Sequence, residues 1–551
     1  MDQPTKSIKS HTEHVELNAV DEITSCKADV AYDENVNSIE DTAPGSFVWL
    51  CAASTAIGGM LFGYDTGVIS GVLVVIGTDL NNRPLSNAEK ELITALCAAG
   101  AFLGAIYAGM TADRYGRKPA IWFASVLFTL GAVVQSSSYT IAQMSVGRIL
   151  IGLGVGSAST VSPYRTLSSR HWLYYTNLYQ IVPMYIAEIS PAHFRGRMIS
   201  IDMIFLGTGS VLAYAFDAAF YHVPHGWRYM IGLGGIPSII LGIFLFWCPE
   251  SPRQLLYHNQ PEECARVIRR IYSNATEDQI QQKILSILEG INRAKQLNEE
   301  FSTRKSLKQL FLVPGNVRAL IAACGLMAFQ QFCGFNTLMY YSSTLFQIVG
   351  FSNPIAVGTV VAVTNLIFTV LSIIFIDRIG RRRILLWTAW GMPVCLIIAS
   401  GAFTKVPIDQ QTLKLTNDHV GWPAILVLVC MILFVAFYAA GLGCVPWQAN
   451  EFLPMEVRAM GTMCINMCNW GPNIVVSSTF LSMMKTMSPA GTFGFYAGLC
   501  LVGFLFVYFC FPEAANMTLE EIRMVFANGF GVEYAEEWRK ERRERCRNGA
   551  A

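Results

Sequence analysis

Twelve runs of about 20 mainly apolar residues follow one another along this chain, and a run of that length crosses a bilayer as a helix. They lie near 47–74, 92–110, 119–138, 141–160 with 181–189, 198–219, 228–247, 317–346, 355–376, 384–403, 422–449, 460–484 and 490–511. A polar segment from Pro249 to about Gly315 divides them six and six. In lipid every backbone polar group has to be satisfied within the chain, which restricts such runs to helix. Of the 551 residues 53% are hydrophobic and 14% charged, against roughly 25% charged in a soluble chain. The expected fold is an all-α membrane protein with twelve transmembrane helices in two six-helix halves. Its parts are a disordered cytosolic N-tail (1–46), a first half (47–248), a cytoplasmic helical linker (249–316), a second half (317–512) and a cytosolic C-tail (513–551).

Charge narrows the function classes. A formal net charge of +1 provides no electrostatic footprint for nucleic acid. The 15 cysteines are scattered, with no paired spacing of the kind that binds zinc or works in redox chemistry. No nucleophile–base constellation points to an enzyme, and no cofactor or metal is implied. The first 46 residues carry ten Asp or Glu against three Lys, which is not the pattern of a secretory signal.

Basic residues set the expected orientation. "DRYGRK" (113–118), "RGR" (195–197), ten Lys or Arg between 250 and 315, and "DRIGRRR" (377–383) all fall on one side. The opposite loops hold Arg83, Lys90, Lys405, Lys414 and Lys485. The positive-inside rule then places both termini and the linker in the cytosol. The sequons at Asn274 and Asn516 are therefore expected to carry no glycan. The plasma membrane is the expected location, and a monomer the expected working form.

The halves repeat. Asp113, Arg114 and Arg117 of "DRYGRK" recur as Asp377, Arg378 and Arg381 of "DRIGRR". "PMYIAEISPAHFR", with Glu188 and Arg195, recurs as "PWQANEFLPMEVR", with Glu451 and Arg458. "PE" follows helix six (Glu250, with Arg253 in "PESPR") and helix twelve (Glu513). Three motifs in the same order at matching helix ends indicate duplicated halves, the arrangement of major facilitator transporters. Acids recur beside the bases, so these clusters are expected to act as cytoplasmic latches, through charge-assisted pairs that separate when the halves rock.

Polar residues inside membrane helices are functional candidates. Gln330, Gln331, Asn336 and Tyr340 in "FQQFCGFNTLMYYSS" share roughly one helix face. Asn365, Trp447, Asn469 and Asn473 add to them from helices eight, ten and eleven. Amides that donate and accept, beside flat indole rings, suit a small neutral polyol or sugar. Cross-helix glue is the alternative for any single residue. Asp65 lies within helix one and Arg148 within helix four. Two opposite charges in lipid are best placed as a pair, and protonation of Asp65 would release Arg148, as proton coupling requires. Asp202, near the cytoplasmic start of helix five, has no assigned role and is expected to be hydrated at the mouth.

These residues resemble the sugar porter family of the major facilitator superfamily over about Val48 to Val532. The matching signatures are "PESPR", "QQFCGFN", "DRIGRRR", "VPWQANEFLP" and "TLEEI". Within the family the chain looks most like fungal myo-inositol/proton symporters, through "NTLMYYSSTLFQIVGF", "TNLIFT" and "AFYAAGLGCVPWQ". The resemblance implies that Asp65 and Arg148 couple the proton, and that Gln330, Gln331, Asn336, Tyr340, Asn365, Trp447, Asn469 and Asn473 contact polyol. Two positions where relatives carry Gln hold Met203 and Ser210, and "PEAANM" replaces "PETKGL". A hexose or pentose transporter, proton-coupled or facilitative, and a transporter-like nutrient sensor remain open alternatives.

One segment breaks the repeat. Val161 to Gln180 carries Pro163, Arg165, Arg170 and His171 where helix four should continue. As helix it would add about 30 Å and turn the residues beyond it by roughly 200°, displacing Glu188. Each arginine at mid-bilayer would cost about 2.5–3.5 kcal/mol. Deleting the segment restores a helix matching its counterpart and keeps the reading frame. Val161-Ser162 can encode a splice donor, Thr176-Asn177 a branch point and Gln180 an acceptor, so the segment reads as a translated intron; a functional cytoplasmic loop is the other reading. Mature transcripts are expected to lack the codons for 161–180, and messages that all retain them would establish the loop.

Overall fold

The computed structural model describes residues 45–158, 181–191, 194–300, 303–409, 414–415, 421–513, 517, 519–527 and 529–549. Nearly all of the N-tail and the whole of 161–180 lie outside the described residues. The first half comprises α1 (Ser46–Val75), α2 (Asn87–Tyr115), α3 (Arg117–Ser136), α4 (Ile141–Ala158), α5 (Ile181–Ile189), α6 (Arg195–Phe220), α7 (Gly226–Leu233) and α8 (Gly235–Trp247). Four linker helices come next: α9 (Pro252–Tyr257), α10 (Pro261–Ile271), α11 (Glu277–Glu300) and α12 (Thr303–Leu312). The second half comprises α13 (Pro314–Phe332), α14 (Phe335–Val349), α15 (Pro354–Ile379), α16 (Arg381–Ala389), α17 (Gly391–Phe403), α18 (Trp422–Phe437), α19 (Met455–Thr486) and α20 (Ser488–Cys510). The tail adds α21 (Leu519–Val525) and α22 (Val532–Gly549). A two-residue hairpin, Ile408–Asp409 against Lys414–Leu415, sits in the loop after α17.

Nine helical stretches among the described residues are long and apolar enough to cross a membrane. The other three places read from the sequence are also helical. There α2 carries charge at both ends, α4 and α5 flank the undescribed segment, and α19 is diluted by Asn466, Asn469 and Asn473. Local chemistry starts several helices. Ser86 and Glu89 cap each other before α2, with Glu89 N–H donating to Ser86 Oγ at 3.3 Å and Ser86 N–H to the Glu89 carboxylate at 2.9 Å. Asn353 accepts from Ala356 N–H at 3.1 Å ahead of Pro354.

The tightest seam joins α1 and α6. Gly59, Gly63, Gly67 and Gly71 recur every fourth residue and form one stripe on α1. A Cβ at Gly63 would lie 1.8 Å from the Leu206 carbonyl oxygen, so only glycine admits this approach. Ser210, at a position where relatives carry Gln, donates to Gly63 O at 2.9 Å and belongs to the seam. Asp202 and Asp217 of α6 fill the spaces at Gly59 and Gly71. The expectation that Asp202 is hydrated is therefore corrected: it is buried, because the bare Gly59 backbone leaves room for its carboxyl.

Helix ten is not continuous, although its apolar run is. After Phe437 comes a π turn, Tyr438–Leu442, and then a 3-10 stretch, Val445–Phe452. Gly443 N–H reaches back to Tyr438 O at 2.7 Å, the five-residue spacing of a π turn. Gly441, Gly443 and Pro446 are the local reason. The linker packs under the first half, where Cys264, Ile268 and Ile271 of α10 join Val48 and Cys51 of α1. The two halves meet along α1 with α14, α2 with α19, and α6 with α15. Gly63→Ala is expected to push α1 from α6 and destabilise the protein by about 3 kcal/mol, seen as a lower thermal unfolding midpoint; an unchanged midpoint would mean the seam can relax.

Candidate functional site

Asp65 on α1 and Arg148 on α4 form a buried pair. Arg148 Nη1 donates to Asp65 Oδ1 at 2.6 Å, and the Arg148 and Asp65 side chains are 2% and 6% exposed respectively. Arg148 Nε donates to the Ile93 carbonyl at 3.2 Å. The second Asp65 oxygen accepts the Cys97 thiol at 3.0 Å. With both oxygens engaged, removing either charge leaves its partner buried and uncompensated, a loss of about 3–5 kcal/mol. Cys97 and the Ile93 carbonyl had no sequence signal; the packing of α2 beside α4 brings them in.

The amide cluster centres on Gln331 of α13. Its Nε2 donates to Asn469 Oδ1 at 2.5 Å and to Gln330 Oε1 at 3.3 Å. Its Oε1 accepts from Asn336 Nδ2 at 2.5 Å and Asn473 Nδ2 at 2.9 Å. Tyr340 O–H reaches Asn473 Oδ1 at 3.5 Å. Helices α13, α14 and α19 are thereby tied at one point. Gln330 also turns its amide on the break in helix ten, donating to the carbonyls of Leu442 and Gly443 at 2.9 and 3.2 Å. Part of its role is thus glue. Asn365 is buried on α15 and Trp447 half-buried on the 3-10 stretch; among the described residues neither joins this cluster. Phe62 of α1 packs on Trp470 of α19 with ring centroids 5.8 Å apart, which sets the helix that carries Asp65 against the helix that carries Asn469 and Asn473.

The duplicated charged motifs adopt the same geometry twice. Gly116 (φ 104°) and Gly380 (φ 99°) precede α3 and α16, and a Cβ on either would lie 2.6 Å from a carboxylate oxygen of Glu250 or Glu513. Glu250 accepts N–H groups of Arg117 at 3.1 Å, Lys118 at 3.3 Å and Ser251 at 3.1 Å. Glu513 accepts those of Arg381 at 3.3 Å and Arg382 at 3.1 Å. Each "PE" glutamate therefore seats on a helix N-terminus, where the dipole and free N–H groups favour an anion. Burial pushes the Glu250 carboxyl up, and these N–H groups offset part of that rise.

The paired bases lie beside these units. Arg117 meets Glu188 at 3.5 Å and Gln254 Oε1 at 2.9 Å, so Glu188 keeps its place beyond the interrupted stretch. Arg381 pairs with Glu451. Arg458 Nε donates to Leu453 O at 3.0 Å, Arg253 is half-buried on α9, and Arg378 is exposed at the end of α15. The side chains of Asp113, Arg114, Arg195 and Asp377 lie outside the described residues. The tail helix completes the second cluster. Arg539 approaches Glu513 at 3.5 Å and donates to Ile379 O at 3.3 Å, Glu536 approaches Arg382 at 3.8 Å, and Ala535 is buried. The start of α22 is thereby docked on the second half.

Paired six-helix halves around a buried ion pair and an amide cluster define a membrane carrier. The profile of the family described as "Sugar (and other) transporter" matches residues 51–166 and 173–526, and the chain belongs to that family. Myo-inositol transporter 2 of Schizosaccharomyces pombe is 41% identical over 98% of this chain and 92% of its own length. Myo-inositol transporter 1 of Saccharomyces cerevisiae is 36% identical, with 98% and 91% covered. The xylose transporter XylE from E. coli, solved in an inward open conformation, superposes with a TM-score of 0.68 at 26% identity, covering 87% of this chain and 99% of that one.

Glu250→Ala leaves three N–H groups without their acceptor and is expected to destabilise the first half by about 3 kcal/mol. Glu513→Ala should do the same in the second half. Thermal unfolding of the purified variants checks both, and midpoints equal to the parent would show that water replaces the carboxylates.

Proposed function

We propose that this chain is a proton-coupled symporter of a neutral polyol, myo-inositol, working by alternating access as a monomer. Its place is the plasma membrane, with both termini in the cytosol. The observation that carries the reading is the Asp65–Arg148 contact at 2.6 Å beside the amide cluster on Gln331. A ring of hydroxyls offers a donor and an acceptor at each carbon, and Gln and Asn side chains offer both in return. The hydrogen bonds now made among Gln331, Asn336, Asn469 and Asn473 are ones that hydroxyls can take over. Protonation of Asp65 cancels the charge facing Arg148, so the pair parts and re-forms as the proton enters and leaves. The names of the fungal relatives support inositol as the substrate. In this scheme the charged clusters at Glu188 and Glu451 act as cytoplasmic latches by exchanging their pairs within each half, Arg117–Glu188 and Arg381–Glu451, for pairs across the halves when that face closes. The gap in the family match, 167–172, lies inside 161–180 and supports reading that segment as an insert.

Uptake measurements test the reading. Asp65→Asn is expected to abolish inositol accumulation against a gradient while sparing exchange, and Gln331→Ala to weaken inositol binding at least tenfold, about 1.4 kcal/mol. Full accumulation by Asp65→Asn would remove the coupling role. Saturable uptake of xylose or glucose in preference to inositol would replace the substrate and leave the coupling intact.

A further inference from the structure

The two halves are fastened to each other near the ends of α1, α2, α6, α14 and α19 that lie opposite the charged motifs. Ser70 of α1 bonds Ser342 and Ser343 of α14, each at 3.0 Å. Tyr214 of α6 donates to Met339 O at 2.7 Å and lies 2.6 Å from Ser342 Oγ. The third fastening is ionisable. Glu91, one turn inside the start of α2, accepts the backbone N–H of Ser482 at 2.7 Å and the Ser482 hydroxyl at 2.6 Å. Ser482 lies one turn from the end of α19. By contrast, Arg117–Glu188 and Arg381–Glu451 each join residues of a single half.

We propose that Glu91 is a gate residue: its carboxylate holds the second half closed against the first at the outer end and releases Ser482 whenever that face opens. Glu91 is 4% exposed, so in the closed state both of its oxygens depend on Ser482. In the open state water satisfies the same groups. The contact therefore exists in one state only, and such a differential interaction is what sets the balance between two conformations. Leucine at this position leaves the Ser482 N–H and hydroxyl without this acceptor when the face is shut, and changes little when it is open. Ordinary helix glue differs in kind, since it joins helices that move together.

The inference rests on alternating access, and its test needs no substrate, so its failure leaves the uptake reading standing. The full chain carries a reporter cysteine at Thr337, which is buried on α14 below the serine contacts. Intact cells are treated from outside with a membrane-impermeant maleimide. In the Thr337→Cys background, Glu91→Leu is expected to speed labelling about tenfold, as expected for losing charge-assisted hydrogen bonds. Ser482→Ala, which keeps the N–H bond, should speed it by a smaller factor, and the double variant should be no faster than Glu91→Leu alone. Unchanged labelling in Glu91→Leu, or a Ser482→Ala effect undiminished in the double variant, would overturn the inference. Unchanged labelling in Ser482→Ala would also overturn it, even if Glu91→Leu does not reach the cell surface.

Discussion

Two opposite charges without water must be satisfied by each other, and the first half of this protein is arranged so that Asp65 and Arg148 are. The pair draws α1 to α4, while Cys97 and the Ile93 carbonyl bring in α2. Such a pair is poor evidence for stability in itself, because desolvation offsets much of the attraction. In the symport proposed above, its value lies in two discrete arrangements, paired and parted. The glycine stripe makes the placement possible: with bare backbone against α6, α1 sits close on that side and presents Asp65 on the other. Larger residues at Gly63 or Gly67 would shift the carboxylate and the guanidinium relative to each other.

The second constraint is duplicated. At Gly116 and at Gly380 a positive φ turns the chain into a helix N-terminus, and a glutamate that comes much later in the chain fills the space a side chain would take. Spacing rules explain the motif only partly. The glycine is needed for the turn and for the carboxylate, and the arginine after it for a pair in its own half. The halves differ in what covers this unit. Gln254 of the linker reaches Arg117, whereas Arg539 and Glu536 of the tail helix reach the Glu513 cluster. A duplicated core has thus been finished by unrelated segments.

The amide cluster ties helices together and is also the candidate binding site. Gln330 donates to two carbonyls where the π turn ends, and in lipid a backbone carbonyl left without a donor is costly. Its neighbour Gln331 gathers three asparagines. Adjacent residues on one helix therefore serve helix ten and the candidate binding site, and a change at either is felt by both.

The spans, their division six and six and the duplicated motifs were legible because hydropathy and motif order are local properties of a chain. So was the pairing of Asp65 with Arg148, since two lone charges in lipid leave few alternatives. The break in helix ten was hidden, because its glycines and proline sit inside an apolar run that reads as continuous. Ser210 and Asp202 gave no sign of belonging to a seam, and Glu91 no sign of Ser482. Those assignments depend on which faces of distant helices meet, and on the bare glycine backbone that lets them approach. Sequence determined which segments enter the membrane and where charge must be compensated. Tertiary structure decided which groups compensate it, because each contact joins residues that only the packing of separate helices brings within hydrogen-bond reach.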